Sequence, residues 1–256
     1  MDTMPDRHRR TLLTRFAWTI GMTGLGLTPV LAGCLSRKPT PDQGVVDLQG
    51  EVFFDGVAAR PGMVPVPGGL ITTGKSGRVT IVAGADAFLV HANSTLRLLD
   101  RPLAMNVEAA VATDANTVGG EAVGTASRST LGFILRQGKV LSVFSPGLRT
   151  LNTPNATIGI RGTAAFLEYQ PGSTYVCTCY GTAEIQSLKD SRIRETVVTK
   201  HHESPRYIKD ETSAGAALEK APMLGHTDAE LIMLEELVGR RPPFIDSPSW
   251  KSENKY

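Results

Sequence analysis

From Leu131 to Thr163 the chain reads LGFILRQGKVLSVFSPGLRTLNTPNATIGIRGT, with apolar and β-branched residues (Phe133, Leu135, Val140, Val143, Ile158, Ile160) in short runs broken by Gln-Gly, Pro-Gly and Thr-Pro. No run is long enough for a helix, so the stretch predicts two or three short strands joined by turns. The same texture holds on both sides. Val45, Val46 and Leu48 alternate towards Gly50, and Glu51-Val52-Phe53-Phe54 runs into Asp55-Gly56, a favoured hairpin dipeptide. Ile71-Thr72-Thr73, Arg78–Val82, Phe88-Leu89-Val90 and a turn at Asn93-Ser94-Thr95-Leu96 follow. After the central stretch come Ala164–Tyr169, Thr174–Tyr180, Thr182–Leu188 and, beyond Lys189-Asp190-Ser191, Arg192–Thr199. Strands at short spacing without intervening helices predict a mainly β, antiparallel sandwich or jelly-roll-like fold.

The order of the central pieces, a G-K-V-L-S-V strand beginning at Gly138, then L-R-T-L-N-T-P-N-A, then I-R-G-T with Arg161, Gly162 and Thr163, resembles the FecR family of bacterial envelope domains. The resemblance covers about residues 45–188. It implies an antiparallel β domain that binds a ligand or an envelope protein in sensing or assembly, without catalysis. Read from the residues alone, the glycine in Arg161-Gly162-Thr163 marks a bulge or close packing, and the arginine a local pair. The sequence shows neither the anti-sigma helical segment nor the membrane span of iron-signalling FecR proteins, so sigma-factor control and siderophore signalling are not carried over.

Residues 1–33 read as a secretory leader: Arg7, Arg9, Arg10 and Arg15, then an apolar stretch interrupted by Gly21, Gly24 and Gly26, then Leu31-Ala32-Gly33-Cys34. That tetrapeptide looks like a lipobox, with cleavage between Gly33 and Cys34 and the Cys34 thiol accepting lipid. Covalent acyl chains, at about 0.8 kcal/mol for each buried methylene, would then hold the protein on a membrane. His8-Arg9-Arg10-Thr11 is compatible with either twin-arginine or Sec export. Leu35 in place of an aspartate points to the periplasmic face of the outer membrane. Residues 34–44 form a tether, 45–209 the β domain, and 210–256 a tail.

The 256 residues carry 27 basic and 25 acidic side chains; four of the former and two of the latter fall in the leader, so the remainder is balanced. Nucleic-acid binding, which needs a clustered positive surface, is not expected. Gly69–Ser76 matches G-x-x-x-x-G-K-S, but Pro65-Val66-Pro67-Gly68 precedes it and a β run follows it. The strand and helix that a phosphate cradle needs are therefore missing, and ATP is not expected. No nucleophile elbow or paired carboxylates accompany it, so no enzyme is expected. Asp100–Thr130 lacks a sustained period and reads as a long surface loop with one short strand near Asn106–Ala112.

Two features of the tail and the last strands carry chemistry. Thr227 with Glu230 forms a capping box, and Leu231, Leu234, Leu237 and Val238 make an apolar stripe before Gly239, predicting a helix over 228–238 that covers the domain's own sheet. Cys177 and Cys179, at i and i+2 on a strand, share a face. A hairpin about Asp190 would bring His201 and His202 towards Tyr180 and Cys179, and His226 or Asp228 would complete four donors for zinc, copper or haem iron. Structural burial of the thiols and a strained bridge between them stay open beside the metal reading.

Overall fold

The computed structural model describes residues 43–99, 132–212, 215–247 and 250. The expected leader, the expected lipidation site at Cys34, nearly all of the expected tether and the 100–130 segment lie outside these residues.

The predicted β runs pair into one sheet of fourteen strands among the described residues. In chain order they are β1 (Gly44–Gln49), β2 (Val52–Phe54), β3 (Val57–Ala58), β4 (Leu70–Thr73), β5 (Arg78–Ala83), β6 (Asp86–Val90), β7 (Thr95–Leu99), β8 (Gly132–Val143), β9 (Leu148–Asn152), β10 (Ala156–Gln170), β11 (Ser173–Ser187), β12 (Arg194–Thr199), β13 (Arg206–Thr212) and β14 (Gly215–Lys220), followed by helix α1 (Asp228–Leu237). Asp55 (φ 49°) and Gly56 (φ 80°) make the tight β2–β3 turn that the dipeptide predicts. The G-x-x-x-x-G-K-S stretch is not a loop at all, because its four central residues are β4.

The sheet runs β14-β13-β11-β10-β9-β8-β7-β4-β2-β3, with a branch in which β1 pairs β5, β5 pairs β6, and β6 returns to β8. Strand β8 joins the two parts. Its first half pairs β7 and its second half pairs both β6 and β10. All the strand pairs are antiparallel except β8 with β9, where Gly132–Ile134 run parallel to Thr150–Asn152. The folded-over sheet encloses a large core that includes Ile71, Ile81, Phe88, Phe133, Leu151, Ile158 and Leu167. Gly138 keeps the chain close where β8 passes the Asn93–Ser94 turn: its φ is +88°, and a Cβ there would lie 2.2 Å from Ser94 Oγ.

The strands of the central hairpin are longer than the sequence reading expects. Ala156–Gln170 and Ser173–Ser187 are two fifteen-residue strands, each continuous through a bulge. In β10 the register slips between Arg161 and Ala164, around Gly162 (φ 50°). In β11 Thr178 pairs Ala165 and Tyr180 pairs Ala164, which leaves Cys179 as the extra residue. A one-residue insertion reverses which side chains face each side of a sheet. So Ile158, Ile160, Ala183 and Ile185 at one end, and Ala165, Leu167 and Val176 at the other, all reach the same enclosed core despite opposite parity. The reverse face gains Phe166, Tyr175, Cys177, Cys179 and Tyr180 as neighbours, and helix α1 covers it through Leu231 and Leu234, with Val238 just beyond its last turn.

The helix forms as its sequence predicts. Thr227 Oγ1 accepts from the Glu230 N–H at 3.2 Å, and Glu230 Oε2 accepts from the Thr227 N–H at 3.0 Å. Gly239 (φ 70°) follows the last turn. Strand pairing runs across the expected domain boundary at 209/210. The boundary falls inside β13, and β14 carries the sheet on to Lys220, because pairing with a neighbour satisfies backbone groups of a segment whose own apolar pattern is weak.

Candidate metal centre

Strand β11 presents Cys177 and Cys179 to the second core, both completely buried and neither in a disulfide. The β11–β12 hairpin turns at Asp190 in the expected register, with Gly181 opposite Thr199. Continuing past its open end, the His202 N–H donates to the Cys179 carbonyl at 3.0 Å. His202 sits at φ 55°, a conformation unusual for a residue with a side chain and often found where function fixes the geometry. The loop before α1 brings the third element. Tyr175 donates its hydroxyl proton to the Pro222 carbonyl at 3.0 Å and accepts from the Leu224 N–H at 2.9 Å, which fixes the chain just ahead of His226. The His226 ring then lies flat on Phe166, with centroids 4.6 Å apart and planes at 15°.

Four donor atoms converge there. Cys177 Sγ is 3.3 Å from His202 Nδ1, Cys179 Sγ is 3.3 Å from His226 Nε2, and the two nitrogens are 3.2 Å from each other. All four atoms lie within 4.8 Å of one another. With metal–nitrogen bonds of about 2.05 Å and metal–sulfur bonds of about 2.3 Å, tetrahedral edges come to about 3.3 Å between nitrogens and about 3.6 Å between nitrogen and sulfur. The cluster is within a few tenths of an ångström of that figure on each of these edges.

The far nitrogens of both rings are held as ligating histidines require. His226 Nδ1 donates to the Leu224 carbonyl at 3.1 Å, which turns the lone pair of Nε2 inward. His202 Nε2 lies 3.1 Å from Asp228 Oδ1, so a proton on Nε2 leaves Nδ1 free to ligate. Each ring thus has the outer acceptor that sets its tautomer and raises its basicity.

The protons of the cluster follow the same geometry. Contact with Cys179 is the largest influence on Cys177; with hydrogen bonds from His202 and His226 it outweighs burial and holds the thiol well below its ordinary value. Burial, then the neighbouring Cys177, pushes Cys179 well above it. Burial opposes charge on His202, but hydrogen bonds to Asp228 and Cys177 prevail and raise it to about 9. A thiolate therefore faces an imidazolium, the charge arrangement that a bound cation replaces.

Of the residues the sequence singles out, Cys177, Cys179, His202 and His226 meet at one point. His201 does not join them. Its Nε2 lies 3.0 Å from each oxygen of Asp228, and its ring packs on Phe244 with centroids 4.2 Å apart and planes tilted by 30°. Asp228 stands behind His202 rather than among the four. Gly138 and Arg161 belong to the frame, Gly138 spacing β8 from a turn and Arg161 exposed beside the β10 bulge, while Gly162 lines the cleft next to His201 and Tyr180. Tyr175 carries no local signal of its role, because its partners are 47 and 49 residues away. Beside the centre, Tyr180, Lys200, His201, Glu203, Phe244 and Trp250 line a cleft of about 480 Å³.

No protein-family description matches the chain, and no curated protein matches it. Two crystal structures of a "putative anti-sigma factor" from Parabacteroides distasonis ATCC 8503, at 2.50 Å and 1.65 Å, are similar in fold with TM-scores of 0.40 and 0.39 at 9% identity. In each case the match covers 59% of this chain and 58% of the other. The likeness is coarse.

Proposed function

We propose that this chain is a non-enzymatic module of the bacterial envelope, lipid-anchored through Cys34, that binds one metal ion of zinc type between Cys177, Cys179, His202 and His226. The observation that carries the reading is the pair of ligand-facing histidine nitrogens 3.2 Å apart. Each has its opposite nitrogen engaged by an outer acceptor, so a cation among the four donors would take the place of the proton that His202 Nδ1 otherwise holds between the rings and the Cys177 sulfur. Two thiolates and two imidazoles in a tetrahedral arrangement suit zinc first and copper(I) second. Donor atoms within 4.8 Å of one another leave no space for a porphyrin. Four protein ligands with no open position mark a structural rather than a catalytic ion. Its role is to fasten the loop before α1, and with it the helix, to the face of β11, so that the C-terminal segment presents a fixed surface to an envelope partner.

Elemental analysis of the purified full-length chain tests this. The expected result is one zinc or copper per chain, lost in the Cys177→Ser/Cys179→Ser variant together with several degrees of thermal stability. A chain that folds at full stability with no bound metal sinks the proposal.

A further inference from the structure

Behind the buried four-donor cluster lies a second group of possible ligands, His201, Asp228 and the outer nitrogen of His202, with one atom of each within 4.8 Å of the others. His201 Nε2 lies 3.0 Å from both carboxylate oxygens of Asp228, and His202 Nε2 lies 3.1 Å from Oδ1 of the same group. For bonds of about 2.1 Å at right angles, ligand edges are about 3.0 Å, so these separations match those around one small divalent ion. The Asp228 side chain is only 4% exposed, and among the described residues it also accepts a long hydrogen bond from Trp250 Nε1, 3.4 Å to Oδ2. His201 is 19% exposed and lines the 480 Å³ cleft with Tyr180, Lys200, Phe244 and Trp250.

We propose that His201, Asp228 and the outer nitrogen of His202 form a second metal position, open to the cleft and sharing His202 with the buried centre. The proposal rests on the buried centre being loaded, since His202 must give Nδ1 to that ion and Nε2 to the new one. The Nε2 proton passes to solvent as the second cation binds, and the imidazole ring bridges the two ions. Two imidazole nitrogens and a carboxylate suit zinc, nickel or copper(II), and they exclude the soft preference that the thiolates impose on the first position. Three protein ligands leave at least one coordination place, and the cleft, lined by both Lys200 and Glu203, supplies its occupant: water or a small anion. A buried ion with four protein ligands is inert; an ion at this position would exchange and would accept a ligand. This adds a ligand-binding chemistry that the closed centre lacks.

Anaerobic titration of the full-length, reduced chain with cobalt(II) separates the two positions, because only the buried one has thiolate ligands. The first equivalent is expected to raise the intense thiolate-to-cobalt charge-transfer absorption, and a second to bind with no further rise in that band while adding weaker visible absorption. His201→Ala, and the size-conserving His201→Gln, are expected to bind one cobalt with the charge-transfer band unchanged. A wild-type stoichiometry of one, or two cobalt ions retained in both variants, overturns the proposal and leaves Asp228 as a hydrogen-bond acceptor behind His202. Absence of the charge-transfer band at every equivalent overturns the buried centre instead, so the two failures are distinguishable.

Discussion

His202 Nδ1 and His226 Nε2 stand 3.2 Å apart although they lie 24 residues apart in the chain, one in the turn after β12 and the other in the loop before α1. Each is backed by its own acceptor, Asp228 for the first and the Leu224 carbonyl for the second. A single ion between them would therefore tie together three segments: β11, the turn at 200–205 and the entry to the helix.

Metal removal follows from that tie. A ligand that binds only the folded state stabilises it by about 4 kcal/mol when present at a thousandfold excess over its dissociation constant. For a chain of this size that corresponds to about 10 °C in the midpoint. Thermal melts with and without a strong chelator are expected to differ by that order, and the difference is expected to vanish in Cys177→Ser/Cys179→Ser.

Gly225 sets how closely the His226 loop approaches β10. Its φ is +84°, and a Cβ at that position would lie 2.6 Å from Phe166 Cζ. Gly225→Ala is therefore expected to lift His226 from the Phe166 ring. A weakening of metal affinity by tenfold or more is expected, with the far-ultraviolet circular dichroism of the β sheet retained. Competition titration against a chromophoric chelator measures it, and unchanged affinity would show that the loop position does not matter.

The β12–β13 ion pair gives a pH dependence away from the metal centre. Arg206 Nε donates to Glu195 Oε2 at 2.8 Å, and this hydrogen bond lowers the Glu195 carboxyl from its ordinary 4.5. A depressed folded-state value means that the contribution is present above the unfolded value and is lost as pH falls through the folded one. Glu195→Gln is expected to flatten the fall in stability below pH 4.5, as read by urea midpoints across that range. The effect is small, since the Glu195 side chain is 35% exposed.

Much of this architecture is written locally. Alternating apolar runs, Asp55-Gly56, the Lys189-Asp190-Ser191 turn and the Thr227–Glu230 box each act through neighbours a few residues away, so period and turn chemistry suffice to place them. The same holds for the meeting of Cys177, Cys179 and His202, because a hairpin register propagates along its two strands. What the tertiary structure alone decided is everything that depends on distant segments. The bulge at Cys179 turns β11 so that Tyr180 joins the thiols on the helix side. His226 rather than His201 becomes the fourth donor, because Tyr175 and Phe166 fix its loop from across the core. His201 turns instead towards Asp228 and the cleft. Local pattern specifies strands and turns, whereas the choice among several nearby histidines is settled by packing over separations of 20 to 50 residues, which no short-range periodicity encodes.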